Sequence, residues 1–185
     1  AELVRGQQMV LPGLDQPGTL GAELSLLPPL GDETRRDAAM SLSFEGQIGF
    51  GLSARLLWPE GAGLPREVEA LPAETLTVEL TNEGYVGLAL RAFADQIGMA
   101  PGALGSMMLG GLSQAMAPVM PGSPKARLLD VLGELLSQPD GPGVVRMALR
   151  TETPQTVEQL FDRLERAEGT APPGITLDFA YDPMP

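Results

Sequence analysis

The feature that most restricts the fold is a recurrence of apolar side chains at every second position over residues 38–58. The run AAMSLSFEGQIGFGLSARLLW has an apolar side chain at every second position on both sides of Glu45-Gly46-Gln47. A period of two is typical of a strand with one buried face, and the short interruption favours an antiparallel hairpin. The apolar set that shares this face is Met40, Leu42, Phe44, Ile48, Phe50 and Leu52.

The rest of the first eighty residues also has the pattern of strands and turns. ELVRGQQMVLP and GTLGAELSLLPPL are runs bounded by Pro-Gly and Pro-Pro, and TLTVEL at 75–80 alternates again. The segment 59–74 between them is a polar connector. We therefore predict that residues 1–81 are mainly β, with Trp58 as a core residue at the end of a strand.

A cluster of opposite charges precedes the predicted hairpin. Asp32, Glu33 and Asp37 lie within a few residues of Arg35 and Arg36. Mixed charges at such close spacing are typical of a solvated segment. We predict that this cluster is an exposed turn.

The second half of the chain carries helical spacing. Apolar residues recur at steps of three and four, and Pro, Ser and Asn stand where helices begin or end. GPGVVRMALRTE and GITLDFAY (174–181) return to the strand pattern. The predicted helices are 84–97 with a cap at Asn82, 101–117 opening at Pro101, 124–137 opening at Ser123-Pro124, and a fourth starting at Thr153-Pro154.

These patterns predict an α+β fold: a curved antiparallel sheet with helices inserted in the C-terminal half. We expect one domain over 1–185, with 1–81 mainly β and 82–185 holding helices and two further strands. Glycines 46, 49 and 51 would allow the sheet to bend.

Composition excludes several classes of function. The chain has no cysteine and no histidine, so thiolate nucleophiles, a Ser-His-Asp triad and the usual zinc ligands are missing. Its formal net charge of −12 argues against a nucleic-acid partner and against anionic membrane surfaces. We predict no catalytic residue, no cofactor and no metal site.

One long segment has no ionisable side chain. Nothing between Asp95 and Lys125 carries charge, in a chain that is otherwise strongly acidic. The segment has the length of a membrane span, but its glycines, prolines and polar residues predict that it does not cross a bilayer. It is either a helix packed on the sheet or an exposed, methionine-rich lid that takes a lipid, a peptide or a membrane partner.

The second alternative defines candidate binding residues. If the segment is a docking helix, its large apolar side chains should be partly exposed and should bind the ligand or partner. The small residues Gly102, Ser106 and Gly110 would permit close approach of another backbone. The candidate ligand- or partner-binding residues are Met107, Met108, Leu109, Leu112, Met116 and Met120.

The strand LTVELTNEG leading directly into a helix, and the later passage TPQTVEQL, resemble AsmA-like extracytoplasmic proteins of Gram-negative bacteria. The resemblance covers about residues 38–181. It implies long, curved antiparallel sheets and a periplasmic, non-catalytic role in envelope maintenance or lipid handling. The sequence begins with alanine, as expected of a mature N-terminus left by cleavage at a small residue. A trimmed chain would begin in the same way. The expected location is periplasmic or otherwise extracytoplasmic.

Taken together, these observations predict a non-enzymatic envelope protein that binds an apolar ligand such as a lipid, or a protein partner. The alternatives are a structural subunit of a larger membrane-associated assembly and a hydrolase that uses carboxylates. Peripheral membrane association is compatible with the first two. The three differ in what surrounds the site: an apolar cavity, a flat apolar patch, or converging carboxylates.

Overall fold

The computed structural model describes residues 7–9, 18–26, 35–44, 47–58, 71–167 and 170–184. They form one curved, unclosed antiparallel sheet of seven strands in which every strand pairs with its neighbours in the sequence. The α+β prediction is confirmed. The strands are β1 (Gln7–Met9), β2 (Gly18–Leu26), β3 (Arg35–Phe44), β4 (Ile48–Leu57), β5 (Pro72–Asn82), β6 (Gly143–Thr156) and β7 (Ile175–Pro183).

The predicted hairpin is the β3–β4 pair. Met40 lies opposite Leu52 and Leu42 opposite Phe50, and the Gln47 amide donates a 2.8 Å hydrogen bond to the carbonyl of Phe44. The predicted connector over 59–70 lies outside the described residues, whereas its last residues belong to β5.

Four helices interrupt the meander after β5 and after β6. They are α1 (Tyr85–Ile97), α2 (Pro101–Ala115), α3 (Pro124–Ser137) and α4 (Val157–Arg166). Ser123 caps α3 as predicted, accepting the amide of Ala126 at 3.2 Å. Asn82 accepts the amide of Val86 at 3.0 Å from two positions ahead of the N-cap Gly84.

The predicted start of the fourth helix at Thr153-Pro154 is wrong. Strand β6 continues to Thr156, and the helix begins at Val157. The ladder with β5 steps from Arg150 directly to Gln155, so Pro154 lies in an irregular part of the strand. Proline has no amide hydrogen to donate, and it is tolerated at this position because the ladder does not require a hydrogen bond there.

The strand register separates the sheet into an apolar face and a polar face. Side chains that lie opposite each other in neighbouring strands share a face, so the alternation of each strand extends across the whole sheet. On the apolar face are Leu20 and Ala22 of β2, Ala38, Met40, Leu42 and Phe44 of β3, Ile48, Phe50, Leu52 and Ala54 of β4, Leu76, Val78 and Leu80 of β5, Val145, Met147 and Leu149 of β6, and Leu177, Phe179 and Tyr181 of β7.

The main core lies where α4 packs on one end of the apolar face. Leu160 of α4 is 1% exposed and contacts the buried cluster formed by strand residues. Trp58 is buried in this cluster, as its position at the end of a strand predicted. The cluster is completed by Leu56, Leu71, Ala73, Leu76, Leu149 and Ile175.

A second, smaller core holds the helices of the insert between β5 and β6. Leu90 and Ala94 of α1 pack against Leu104 of α2, and Leu136 of α3 joins them. Helix α3 then packs chiefly along β7, the edge strand, and only slightly on β6. Helices α1 to α3 therefore lie at the β6–β7 side of the sheet, whereas α4 covers one end of the apolar face.

Candidate functional site

The part of the apolar face on β2, β3, β4 and β5 is the first candidate site. Leu42, Phe50 and Val78 are half-buried although they point to the face that normally forms a core. At the α4 end of these strands, Ala38, Leu52 and Ala54 pack against the main core, whereas Leu42, Phe50 and Val78 belong to neither core cluster. In the described part of the chain, the end of the apolar face away from α4 therefore shows no second layer. We call this surface, from Leu20 and Ala22 across to Val78 and Leu80, the open apolar face.

A single cation lies at the α4 end of this surface. Arg36 is opposite Leu56 in the ladder, and its guanidinium lies 5.3 Å from the centre of the Trp58 ring. Of the described residues that the regular ladder places on the apolar face, Arg36 alone is charged. The prediction that Arg35, Arg36 and Asp37 form a turn is wrong, because all three belong to β3; Asp32 and Glu33 lie outside the described residues.

The polar face is a second candidate site. A groove of about 280 Å³ crosses this face. Its lining includes two glutamates, with glycine and hydroxyl-bearing residues between them. Glu23, Ser41, Gly51 and Glu79 follow one another across four strands in register. Three strand spacings put the Cα atoms of the two glutamates about 14 Å apart on a flat sheet.

This groove is where the hydrolase alternative would have its carboxylates. Glu79 is bound there by Arg146, with 2.6 Å between its Oε1 and the arginine Nε. The described residues bring no group of three or more potential metal ligands together here or elsewhere.

Ion pairs set the charge state of the polar face. Arg55 donates from Nε to Asp37 at 2.8 Å, and these hydrogen bonds hold the pKa of the Asp37 carboxyl below its usual value. The same pair raises the pKa of Arg55, and Glu79 raises the pKa of Arg146. Asp37 pairs with Arg55 and Glu79 with Arg146 across neighbouring strands, and such cross-strand ion pairs are typical of a solvated sheet face.

Helix α2 is the third candidate site, and it contains most of the binding residues predicted from the sequence. Only Leu104 and Gly105 of its fifteen residues are buried. Met107 is 53% exposed, Met108 50% and Leu112 38%, and Met120 beyond the helix is 55% exposed.

The remaining two predicted binding residues are held within the insert. Leu109 turns to α3, where its Cδ2 lies 3.5 Å from the position a Cβ on Gly133 would take. Met116 is half-buried, and its carbonyl accepts a 3.2 Å hydrogen bond from Nζ of Lys125. The structure thus divides the six predicted residues into four on the surface and two in internal contacts.

One row of side chains on α2 passes from core to solvent. Leu104, Met108 and Leu112 follow at steps of four and share a helix face. Leu104 has no exposed surface because it packs on Leu90 and Ala94 of α1. The next two members of the row are exposed, so this face of α2 is covered over its first turn only.

Comparison with known proteins finds no match among family models, curated proteins or solved structures. The candidate sites therefore rest on geometry and chemistry alone. Within the described ranges, no helix combines the length and the apolar character needed to cross a bilayer.

Proposed function

We propose that this chain is a non-enzymatic envelope protein that binds the acyl part of a lipid on the open apolar face. The observation that supports this function is the incomplete burial of Leu42, Phe50 and Val78, which lie on the apolar face but belong to neither core cluster of the described residues. The proposal includes an extracytoplasmic location. It is supported by the resemblance of the sequence to AsmA-like extracytoplasmic proteins.

The size of the open apolar face suits such a ligand. Four strands at 4.8 Å spacing and about six residues of each give a surface of roughly 15 by 20 Å, or about 300 Å². The side chains on this footprint keep part of their apolar surface in water, which is unfavourable. Acyl chains would cover the surface without needing hydrogen-bond partners, which its side chains do not provide.

Helix α2 supports a second candidate function, the docking of a protein partner as in a structural subunit. A helix that is apolar on all sides is normally buried, yet Met107 and Met108 are about half exposed. Methionine-rich surfaces adapt to partners of different shape because the side chain is unbranched and flexible. This candidate places the function on the insert rather than on the sheet.

Lipid extraction from the natively purified chain tests the main proposal. Mass spectrometry of organic extracts should detect bound lipid in the wild type. Phe50→Gln should reduce the amount several-fold because it puts an amide on the open apolar face. Phe161→Gln is the matched control, since Phe161 is 59% exposed on α4. An extract free of lipid, together with no binding of a fluorescent fatty acid, would contradict the proposal.

The same measurement separates the two candidate functions. The double variant Met107→Ser/Met108→Ser removes apolar surface from α2 and leaves the sheet unchanged. If the sheet binds the lipid, this variant should carry as much lipid as the wild type. Loss of lipid in this variant, with normal loading of Phe50→Gln, would place the binding surface on α2.

A further inference from the structure

We infer that Arg36 binds the carboxylate of a long-chain fatty acid whose hydrocarbon chain lies on the open apolar face. This inference rests on the proposed function and names the class of lipid. It follows from the charge, the position and the unused hydrogen-bonding capacity of one side chain.

Arg36 differs from the arginines that lie near it on the sheet. Arg35 pairs with Glu74 at 2.9 Å, Arg55 with Asp37 at 2.8 Å, and all of these groups belong to the polar side of the sheet. Arg36 makes no ion pair or hydrogen bond with another described residue, although the chain has 24 acidic residues.

The environment of the guanidinium calls for an acceptor. Its Nε–H is buried and has no hydrogen-bond partner among the described residues, the two terminal Nη groups are the donors that a ligand can reach, and the Trp58 ring lies against the guanidinium. A guanidinium has five N–H donors in a planar fork, and a carboxylate matches that geometry with two parallel hydrogen bonds. An anionic headgroup would supply the charge and the acceptors that this face of the sheet lacks.

The distance from Arg36 along the strand suits a single acyl chain. Arg36 and Phe44 are eight residue steps apart on β3, or about 27 Å at the rise of an antiparallel strand. An acyl chain spans about half of the ~30 Å hydrocarbon core of a bilayer, so it fits within this length. Between the ends lie Met40 and Leu42, together with Ala38, which packs against the main core; Phe44 is buried at 3% exposure where the strand ends. One cation and one strand-length of apolar surface match a ligand with one charge and one chain.

Binding of oleate and of oleyl alcohol to the full-length chain tests this inference. The two probes share the same hydrocarbon chain and differ in the headgroup charge. We expect Arg36→Gln to weaken oleate binding at least tenfold and to leave oleyl alcohol binding within twofold of the wild type. Arg150→Gln is the matched control: it makes the same charge change at an exposed residue on the polar face, and should alter neither affinity.

Each outcome of this experiment has a distinct meaning. Equal oleate affinity of the wild type and Arg36→Gln, with the alcohol still bound, would overturn the role of Arg36 and leave the proposed function intact. Failure of the wild type to bind either probe would overturn the proposed function itself. Binding to dioleoylphosphatidylcholine vesicles without binding of oleate would show a two-chain phospholipid instead, and so would overturn the fatty-acid assignment. Circular dichroism of Arg36→Gln checks that the sheet is retained.

If Arg36→Gln does not keep the sheet, Arg36→Lys replaces it in the test. This variant keeps the positive charge but loses the planar fork of donors, so it should lower the oleate affinity by a smaller factor.

Discussion

The side-chain amide of Asn82 donates a 3.0 Å hydrogen bond to the carbonyl of Gly141, fifty-nine positions later in the chain. It also donates to the carbonyl of Pro139 at 3.2 Å, while its Oδ1 accepts the amides of Gly84 and Val86. Asn82 is 1% exposed, and these four hydrogen bonds use the full capacity of a carboxamide. One buried side chain therefore fixes the beginning of α1 to the segment that leads into β6.

Replacing Asn82 should destabilise the protein strongly. Asn82→Ala leaves two amides and two carbonyls without their partner, and we expect a loss of about 3 kcal/mol or more in the free energy of unfolding. Asn82→Asp is nearly isosteric but directs a carboxylate at two carbonyl oxygens. It should be at least as harmful at pH 7, and less so in acid, where the protonated carboxyl can donate. Chemical denaturation at both pH values measures the effect. Similar stability of the wild type and Asn82→Asp at pH 7 would contradict the assignment of these hydrogen bonds.

The row on α2 predicts opposite results for residues one turn apart. Leu104→Ser removes a fully buried side chain from contact with α1, which should cost about 2–5 kcal/mol and lower the melting temperature. Met108→Ser changes a half-exposed side chain and should leave the melting temperature nearly unaltered. A large drop for Met108→Ser would show that this face of α2 is packed in the folded protein.

Two groups of glycines should respond in opposite ways to alanine. A Cβ on Gly87 would overlap the carboxylate of Asp140, and one on Gly143 would lie 2.6 Å from the Tyr181 ring, so Gly87→Ala and Gly143→Ala should destabilise. Gly110 and Gly111 are within α2 and have nothing within 4 Å of the added atom. Gly110→Ala and Gly111→Ala should each raise stability by about 0.5–1 kcal/mol, because glycine loses more backbone entropy in a helix. Thermal melts of the four variants measure these changes in stability.

The Asp37–Arg55 pair predicts a specific acid dependence. Because the hydrogen bonds from Arg55 lower the pKa of Asp37 in the folded state, the pair stabilises the protein above the ordinary carboxyl pKa of 3.8. That contribution should be lost as the pH falls through the lowered value. Asp37→Asn should therefore differ from the wild type at pH 6 and converge with it in strong acid. Both side chains are partly exposed, so the difference should be small and should shrink in high salt. A difference that persists unchanged to pH 2 would exclude this cause.

The fold could be predicted because its elements carry strong local signals. The alternation around Phe44 and Ile48 fixes both the strands and their turn, and Ser123-Pro124 marks a helix start with a cap and a suitable first residue. The start of α4 was missed because Pro154 has the same local chemistry in a helix first turn and in an irregular strand. Only the register between β5 and β6 distinguishes the two.

The candidate sites were predicted less completely. The absence of charge around Met107 and Met108 indicated an unusual helix, but not which side chains would turn inward, as Leu109 does towards Gly133. Arg36 was not predicted as a binding residue, because its neighbours Arg35 and Asp37 suggested an exposed turn. Its significance depends on whether β3 extends back as far as Arg36, and the pairing of β3 with β4 decides that. The alternation of β3 extended back by four residues would have assigned Arg36 to the apolar face.

Asn82 and Gly143 lie directly opposite each other in the ladder, so the sixty residues from 83 to 142 leave the sheet and return to it at one point. A tight turn joining these two positions would complete a plain seven-stranded meander with every strand pairing kept. Changes within helices α1 to α3 can therefore leave the register of every strand intact, provided that the packing of α3 along β7 is kept. The open apolar face and the exposed surface of α2 thus lie in parts of one polypeptide that can vary separately.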